Sequence, residues 1–540
     1  MQTIVANFTD IRHKKIFVAN LKFNSHLISI DQISDREDPS LPYILPGFID
    51  AHVHIESSML IPSEFARIAV THGTIASISD PHEIANVCGI EGVEFMINNG
   101  LRSPFAFYFG APSCVPATIF ETAGARLGPA EVGKLLKNPR IKYLSEMMNF
   151  PGALQGDPEV LEKIALSHAA GKPVDGHAPG LRGEMARNYI ALGISTDHEC
   201  FTLEEALDKL QYGMKIIIRE GSAARNFDAL YTLIDTHPDM VMFGSDDKHP
   251  DELVSGHINL LCKRAVKLGM NVFNVLKAAC INPFEHYSLE TGQLRINDSA
   301  DFILVNNLTD FSVMATYIAG NKMAEQGHSL ISFTEEEIHL NHFDCSNKSI
   351  TDFECRASGA YTLPIIEALD GQLITNKISA QPLNENGCWV SDINTDILKI
   401  VVINRYQDAT PAIAFIRNFG LTQGAIASSV AHDSHNIVAV GVDDESIMKA
   451  VNMIIGHKGG ISCVKDNLEM VLPLSVGGLM SSEDGYKVAE LYSIIDKAAK
   501  DAGSKLRSPF MTLSFMALLV IPHLKLSDKG LFDGDAFALI

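Results

Sequence analysis

Two histidines two residues apart, in Pro46-Gly-Phe-Ile-Asp-Ala-His-Val-His-Ile-Glu, are the first residues in this chain whose type and spacing could do chemistry. Side chains alternate along a strand, so His52 and His54 point to one face and can share a metal ion. Glu146, in Lys142-Tyr-Leu-Ser-Glu-Met-Met-Asn, ends a short apolar strand and offers two oxygens that can bridge two ions. His177, in Val174-Asp-Gly-His-Ala-Pro-Gly, and His198, in Ser195-Thr-Asp-His-Glu, each follow an apolar strand, as does Asp246 in Met242-Phe-Gly-Ser-Asp-Asp-Lys-His. Singly these residues read as well as hydrogen-bonded histidines, solvated carboxylates or a helix cap. Together, four imidazoles and two carboxylates suffice for two divalent ions with an open position for water, and no nucleophile-elbow or phosphate-loop pattern competes. A carboxylate beside such ions, here Asp246, can carry a proton from the water to a leaving group. Glu199, next to His198, is a further proton-handling candidate, and His82, Glu83 and Asn149 are candidates for lining the substrate pocket. Ala431-His-Asp-Ser-His-Asn has enough donors for another metal or for a lid, although a polar turn is the commoner outcome. Cys200 reads as a small buried hydrophobe.

Residues so far apart in sequence converge only if a fold brings strand ends together. Short apolar strands at 74–79, 105–109, 141–145, 173–175, 193–196, 215–218 and 240–243 alternate with helical stretches. That alternation predicts a parallel sheet, and the number of units over 47–285 suits a (β/α)8 barrel of the TIM type, with an open doubly wound sheet as the structural alternative. At the carboxyl mouth of such a barrel the six residues meet. Residues 1–46 and 286–340 carry strand-and-turn patterns and are expected to form a composite β-sandwich around the barrel. Residues 340–358 read as a polar linker with two cysteines, and 359–540 as a C-terminal α/β domain without G-x-G-x-x-G spacing.

The 540 residues, 46% hydrophobic and 20% charged, describe a folded globular protein. A formal charge of −22 opposes binding to nucleic acid. Nine cysteines without a C-x-x-C pair fit a reducing cytoplasm better than a disulfide framework. The amino terminus shows no signal-peptide pattern, and the longest apolar run, 511–521, falls short of the roughly 20 residues a membrane helix needs.

The words around the candidate ligands are more specific than their spacing. The His52 segment, Asp80-Pro-His-Glu-Ile-Ala-Asn-Val, Glu146-Met-Met-Asn-Phe-Pro-Gly, Gly176-His-Ala-Pro-Gly-Leu, Thr196-Asp-His-Glu and Gly244-Ser-Asp-Asp resemble the bacterial adenine deaminase family of the amidohydrolase superfamily. The resemblance continues through Glu290-Thr-Gly-Gln-Leu, Ser299-Ala-Asp-Phe-Ile, Ser428-Ser-Val-Ala-His-Asp-Ser-His-Asn and Pro509-Phe-Met-Thr-Leu-Ser-Phe. It implies hydrolytic deamination of adenine to hypoxanthine and ammonia, in purine salvage or catabolism. It also implies two divalent ions, manganese or ferrous iron, with zinc as a further candidate. By position, His52, His54 and Asp246 would hold one ion, His177 and His198 the other, and Glu146 would bridge them. Many relatives bridge with a carboxylated lysine; Lys142 is the nearby lysine here. His198, Glu199 and Asp246 are the implied catalytic residues, and Glu199 would protonate or hydrogen-bond the purine ring. The expected partners are a purine base and further copies of the chain, with no membrane. The alternatives are another amidohydrolase acting on a cyclic amide or amino-heterocycle, and a non-enzymatic metal-binding scaffold, which the presence of all six ligands argues against.

Overall fold

Eight short parallel strands close into a barrel: Phe48–His54, Thr74–Ser79, Ala106–Ala111, Ile141–Met147, Val174–Gly176, Ile194–Asp197, Lys215–Arg219 and Val241–Gly244, the last resuming at Asp246–Asp247. The computed structural model describes residues 1–357 and 362–540, and the expected start of the C-terminal domain at 359 lies outside the described residues. Parallel neighbours need crossover connections, which the intervening helices provide. Strands covered by helices outside and packed side chains inside must be apolar on both faces. Lys215-Ile-Ile-Ile-Arg accordingly buries everything after its first residue. The observed strands lie within two residues of those expected from the sequence. Helices begin on local signals: Asp157 caps Pro158–Ala169 by accepting from the Glu159 and Val160 amides, and Thr202 caps Leu203–Leu210 through the Glu205 amide.

The barrel seam forms where Asp246 pairs in register with Val53 and Asp247 with His54. Ser245 interrupts the eighth strand; its amide donates to Asp50 Oδ1 at 3.0 Å and its hydroxyl bonds Asp50 Oδ2. His257 Nε2 lies 2.8 Å from the same carboxylate, and Thr74 Oγ1 holds the other ring nitrogen at 2.7 Å. This leaves Asp246 in left-handed backbone, φ 54°, a conformation that aspartate tolerates better than most residues. Gly244 permits the closure, because a Cβ there would stand 3.0 Å from the His52 carbonyl oxygen and from Ile217 Cγ2.

Outside the barrel, the N-terminal strands and those between 302 and 329 form one eight-stranded sheet. They join where Tyr43–Pro46 runs antiparallel to Phe302–Val305. Phe23, Phe302 and Tyr317 pack as an aromatic cluster on it. Residues 330–349 have no regular structure, and Cys355–Arg356 then pairs with Cys388–Val390. The C-terminal part is built on a second eight-stranded sheet between Leu363 and Pro473, with helices Asp444–His457 and Gly485–Asp501. It seats on the barrel's carboxyl face. Arg67 pairs with Asp484 at 3.0 Å, Glu64 accepts from the Gly485 amide at 2.8 Å, and Tyr492 Oη meets His249 Nδ1 at 2.5 Å.

Candidate active site

The first strand carries His52 and His54 to the barrel mouth on one face, with ring centroids 4.9 Å apart. Their Nε2 atoms lie 3.4 and 3.3 Å from Asp246 Oδ1, which the seam kink turns toward them. Glu146, at the end of the fourth strand, stands among the remaining imidazoles. Its Oε2 is 3.0 Å from His177 Nδ1, 2.9 Å from His198 Nε2 and 3.8 Å from His52 Nε2, while Oε1 is 3.6 Å from His54 Nε2. His52 and His198 stack at 3.9 Å. The six residues read from the sequence thus share one buried cluster.

Buried polar groups ordinarily have hydrogen-bond partners. Both ring nitrogens of His52 and His177 Nε2 have none, though these nitrogens are closed to solvent. Unpartnered imidazole nitrogens beside buried carboxylates fit divalent cations such as manganese, iron or zinc. Burial by itself would raise the Glu146 and Asp246 carboxyls. The His177 and His198 imidazoles hold Glu146 well below the usual carboxylate range, and Arg219, with the His52 and His54 hydrogen bonds, does the same for Asp246.

Arg219 ends the seventh strand fully inside the site. Its Nη1 lies 2.6 Å from Glu199 Oε1 and also contacts Asp246 Oδ2, and Nη2 donates to Glu199 Oε2 at 2.8 Å. Glu199 Oε1 is 3.6 Å from His177 Nδ1 and 3.4 Å from His198 Nε2. The sequence reading missed Arg219, although a lone cation closing the apolar run Lys215-Ile-Ile-Ile-Arg was the available signal.

Of the three candidates for lining the pocket, His82 and Glu83 line the cavity and Asn149 is not among its lining residues. His82 and Glu83 form the first turn of helix His82–Gly100, where the Asp80 carboxylate accepts the His82 amide at 3.1 Å. His82 Nδ1 is 3.1 Å from Asp80 Oδ2 and 3.6 Å from Glu146 Oε1, beside the cluster. Asn149 does not line the cavity: its side-chain oxygen caps Phe150–Gln155 through the Gly152 amide at 2.9 Å. Lys142 lies at the opposite end of its strand, paired with Glu290 at 3.2 Å and away from the cluster in which Glu146 stands. Cys200 is fully buried, and burial pushes its thiol well above its ordinary range.

The C-terminal segment supplies the roof. His432 Nε2 lies 3.1 Å from Glu83 Oε1 and 3.2 Å from Asp247 Oδ1, and Ser57 donates to Asp247 at 2.5 Å. The His435 ring accepts the Ala431 amide at Nδ1, 3.1 Å, so Nε2 carries the proton that it donates to Glu83 Oε2. Met148, Leu373 and Leu518 complete the lining beside Asp433. The unfilled space beside the cluster is about 20 Å3, room for about one water.

Residues 43–323 match the amidohydrolase family, and residues 372–538 match the adenine deaminase C-terminal domain. The chain is 53% identical over 541 residues to the adenine deaminase of Sulfurovum sp. (strain NBC37-1), spanning 99% of this chain and 98% of that protein. It is 51% identical over 540 residues to that of Salinibacter ruber (strain DSM 13855 / M31), spanning 100% and 98%. With that of Borreliella burgdorferi (strain ATCC 35210 / DSM 4680 / CIP 102532 / B31) it shares 48% over 546 residues, spanning 99% of each. A barrel that gathers these donors beneath a roof of this type, matched end to end by such relatives, places the chain in the adenine deaminase family of amidohydrolases.

Proposed function

We propose that this protein hydrolyses adenine to hypoxanthine and ammonia, in purine salvage or catabolism. One observation carries the reading: four imidazoles and two carboxylates meet in a single buried cluster at the barrel mouth, under a roof whose sequence matches the adenine deaminase C-terminal domain.

His52, His54 and Asp246 would hold one divalent ion, His177 and His198 a second, with Glu146 between them. Bound there, the ions would supply a nucleophilic water at neutral pH by lowering its pKa from 15.7 to about 7. In the overall conversion the two protons of that water end on the ring nitrogen beside the attacked carbon and on the departing amine. Asp246 and Glu199 are the carboxylates that carry them. Asp246 touches the His52 and His54 side of the cluster and passes one proton to the amine, which leaves as ammonia. Glu199 faces His177 and His198 and delivers the other to the ring nitrogen. Arg219, bound to both carboxylates, keeps them apart and aimed at the same space.

Manganese or ferrous iron is the proposed metal, with zinc a further candidate for a mixed imidazole and carboxylate set. All nine cysteines are free, in keeping with a cytoplasmic location, and among the described residues no helix is long and apolar enough to cross a membrane. Self-association of the barrel is expected and is read by sedimentation.

The test follows adenine by ultraviolet absorbance, with guanine, cytosine and adenosine alongside, using protein stripped of metal and then reloaded with manganese or ferrous iron. Adenine consumed only after reloading, with one ammonia released per base, is the expected result. Two ions bound per chain without adenine turnover would move the substrate to another cyclic amide or amino-heterocycle.

A further inference from the structure

The roof contributes one acidic side chain that nothing else in the site uses. Asp433 comes from the segment between two C-terminal strands, is 2% exposed and lines the cavity. Its Oδ2 has no hydrogen-bond partner, and Oδ1 lies 3.7 Å from His82 Nε2, with the Glu83 carboxylate in the same group. His82 stands between Asp433 and the cluster, since its other ring nitrogen is 3.6 Å from Glu146 Oε1. The Asp433 carboxylate is therefore about one imidazole ring away from Glu146, on the roof side of the cavity that both line. Met148, Leu373 and Leu518 supply apolar surface for the faces of a flat bicyclic base, and Asp433 supplies an acceptor at its far edge.

An ionised carboxylate accepts hydrogen bonds and cannot donate them. Adenine with its amine-bearing carbon at the cluster turns its five-membered ring toward the roof, and that ring carries one N–H. A sugar or methyl group at N9 removes this hydrogen. A site built around a buried polar group rejects an analogue that leaves the group unpaired. We propose that Asp433 is a specificity-determining residue that accepts the five-membered-ring N–H of the free base and so selects bases over nucleosides. The inference rests on the adenine reading above.

The test is a double-mutant cycle on the full-length, manganese-loaded enzyme, comparing wild type, Asp433→Asn and Asp433→Ala on adenine and 9-methyladenine. With adenine, kcat/KM falls about 10- to 100-fold in Asp433→Ala, the range expected for one hydrogen bond to a charged group. With 9-methyladenine, wild type and variant agree within about twofold, because the contact is already lost. Hypoxanthine and 9-methylhypoxanthine, as inhibitors or calorimetric ligands, give the same comparison when turnover of the methylated base is too slow to follow. Metal content and melting temperature are read for each variant. An equal loss on both bases, no loss on adenine, or a fall in bound metal overturns the assignment, the last by making Asp433 a ligand. If wild type deaminates no adenine, the functional reading fails by itself, and the hypoxanthine pair still decides whether Asp433 reads the N–H.

Discussion

Arg219 shows how much of the proposed chemistry depends on one residue that is not a metal ligand. It is buried, and it contacts Glu199 through both oxygens and Asp246 through one. Breaking a buried ion pair from one side leaves an uncompensated charge and costs about 3–5 kcal/mol. Arg219→Gln is expected to lose stability on that scale, as measured by urea unfolding. Arg219→Lys keeps the charge but cannot reproduce a planar fork that reaches two carboxylates. It is expected to fold and bind metal while losing about 10- to 100-fold in kcat, the usual effect of removing an orienting partner; a kcat within twofold of wild type would reduce Arg219 to a structural role. At this scale the members of the buried cluster were legible because each stands at the end of an apolar strand. Asn149 was misread because Asn-Phe-Pro-Gly is also a helix-start signal, and the cap engages the side chain.

Among the elements, the barrel strands were legible to within two residues, since strands buried on both faces are continuous apolar runs. The loop between Ala111 and Pro129 was not, because its partners lie some 400 residues away. Thr122 donates its amide to Asp528 at 2.8 Å, Ser527 Oγ donates to the Phe120 carbonyl at 2.8 Å, and Asn436 donates to the Thr122 carbonyl at 2.9 Å. This loop also buries Glu121, whose Oε1 accepts from Thr118 while Oε2 has no partner. Burial first, and then the neighbouring Asp433, push its carboxyl up to about 8. A folded pKa above the ordinary 4.5 means that the folded state holds its proton longer than the unfolded chain. That contribution is complete below about pH 4.5 and is lost as pH rises through about 8. Glu121→Gln, isosteric and unable to ionise, is therefore expected to match wild type in melting temperature at pH 5 and to exceed it by a few kcal/mol of stability at pH 9. Equal pH slopes for the two proteins would contradict this.

The whole molecule is joined at the site itself. Glu83, from the barrel, is held by His432 and His435 of the C-terminal part, so the roof is bonded to the residues beside the cluster. Burial keeps His435 below the ordinary histidine range and hence neutral near pH 7, with its Nε2–H donating to Glu83 Oε2. A hydrogen bond from a neutral group to a buried carboxylate is worth about 1.5–3 kcal/mol. His435→Ala is expected to lower unfolding stability by that amount and to reduce adenine turnover. Unchanged stability would mean that the roof is held by its other contacts, among them Arg67 with Asp484 and Tyr492 with His249.

The sequence by itself determined the barrel, the six donors at its strand ends and the family, because strand periodicity is local and the words around each donor are contiguous. Only the tertiary structure decided that Arg219 joins Glu199 to Asp246, that Asn149 is a cap, and that His432, Asp433 and His435 enter the barrel mouth. Those contacts join residues with no shared period or spacing. They arise from barrel closure at Ser245 and from docking of the C-terminal sheet, where burial rather than local preference selects each polar partner.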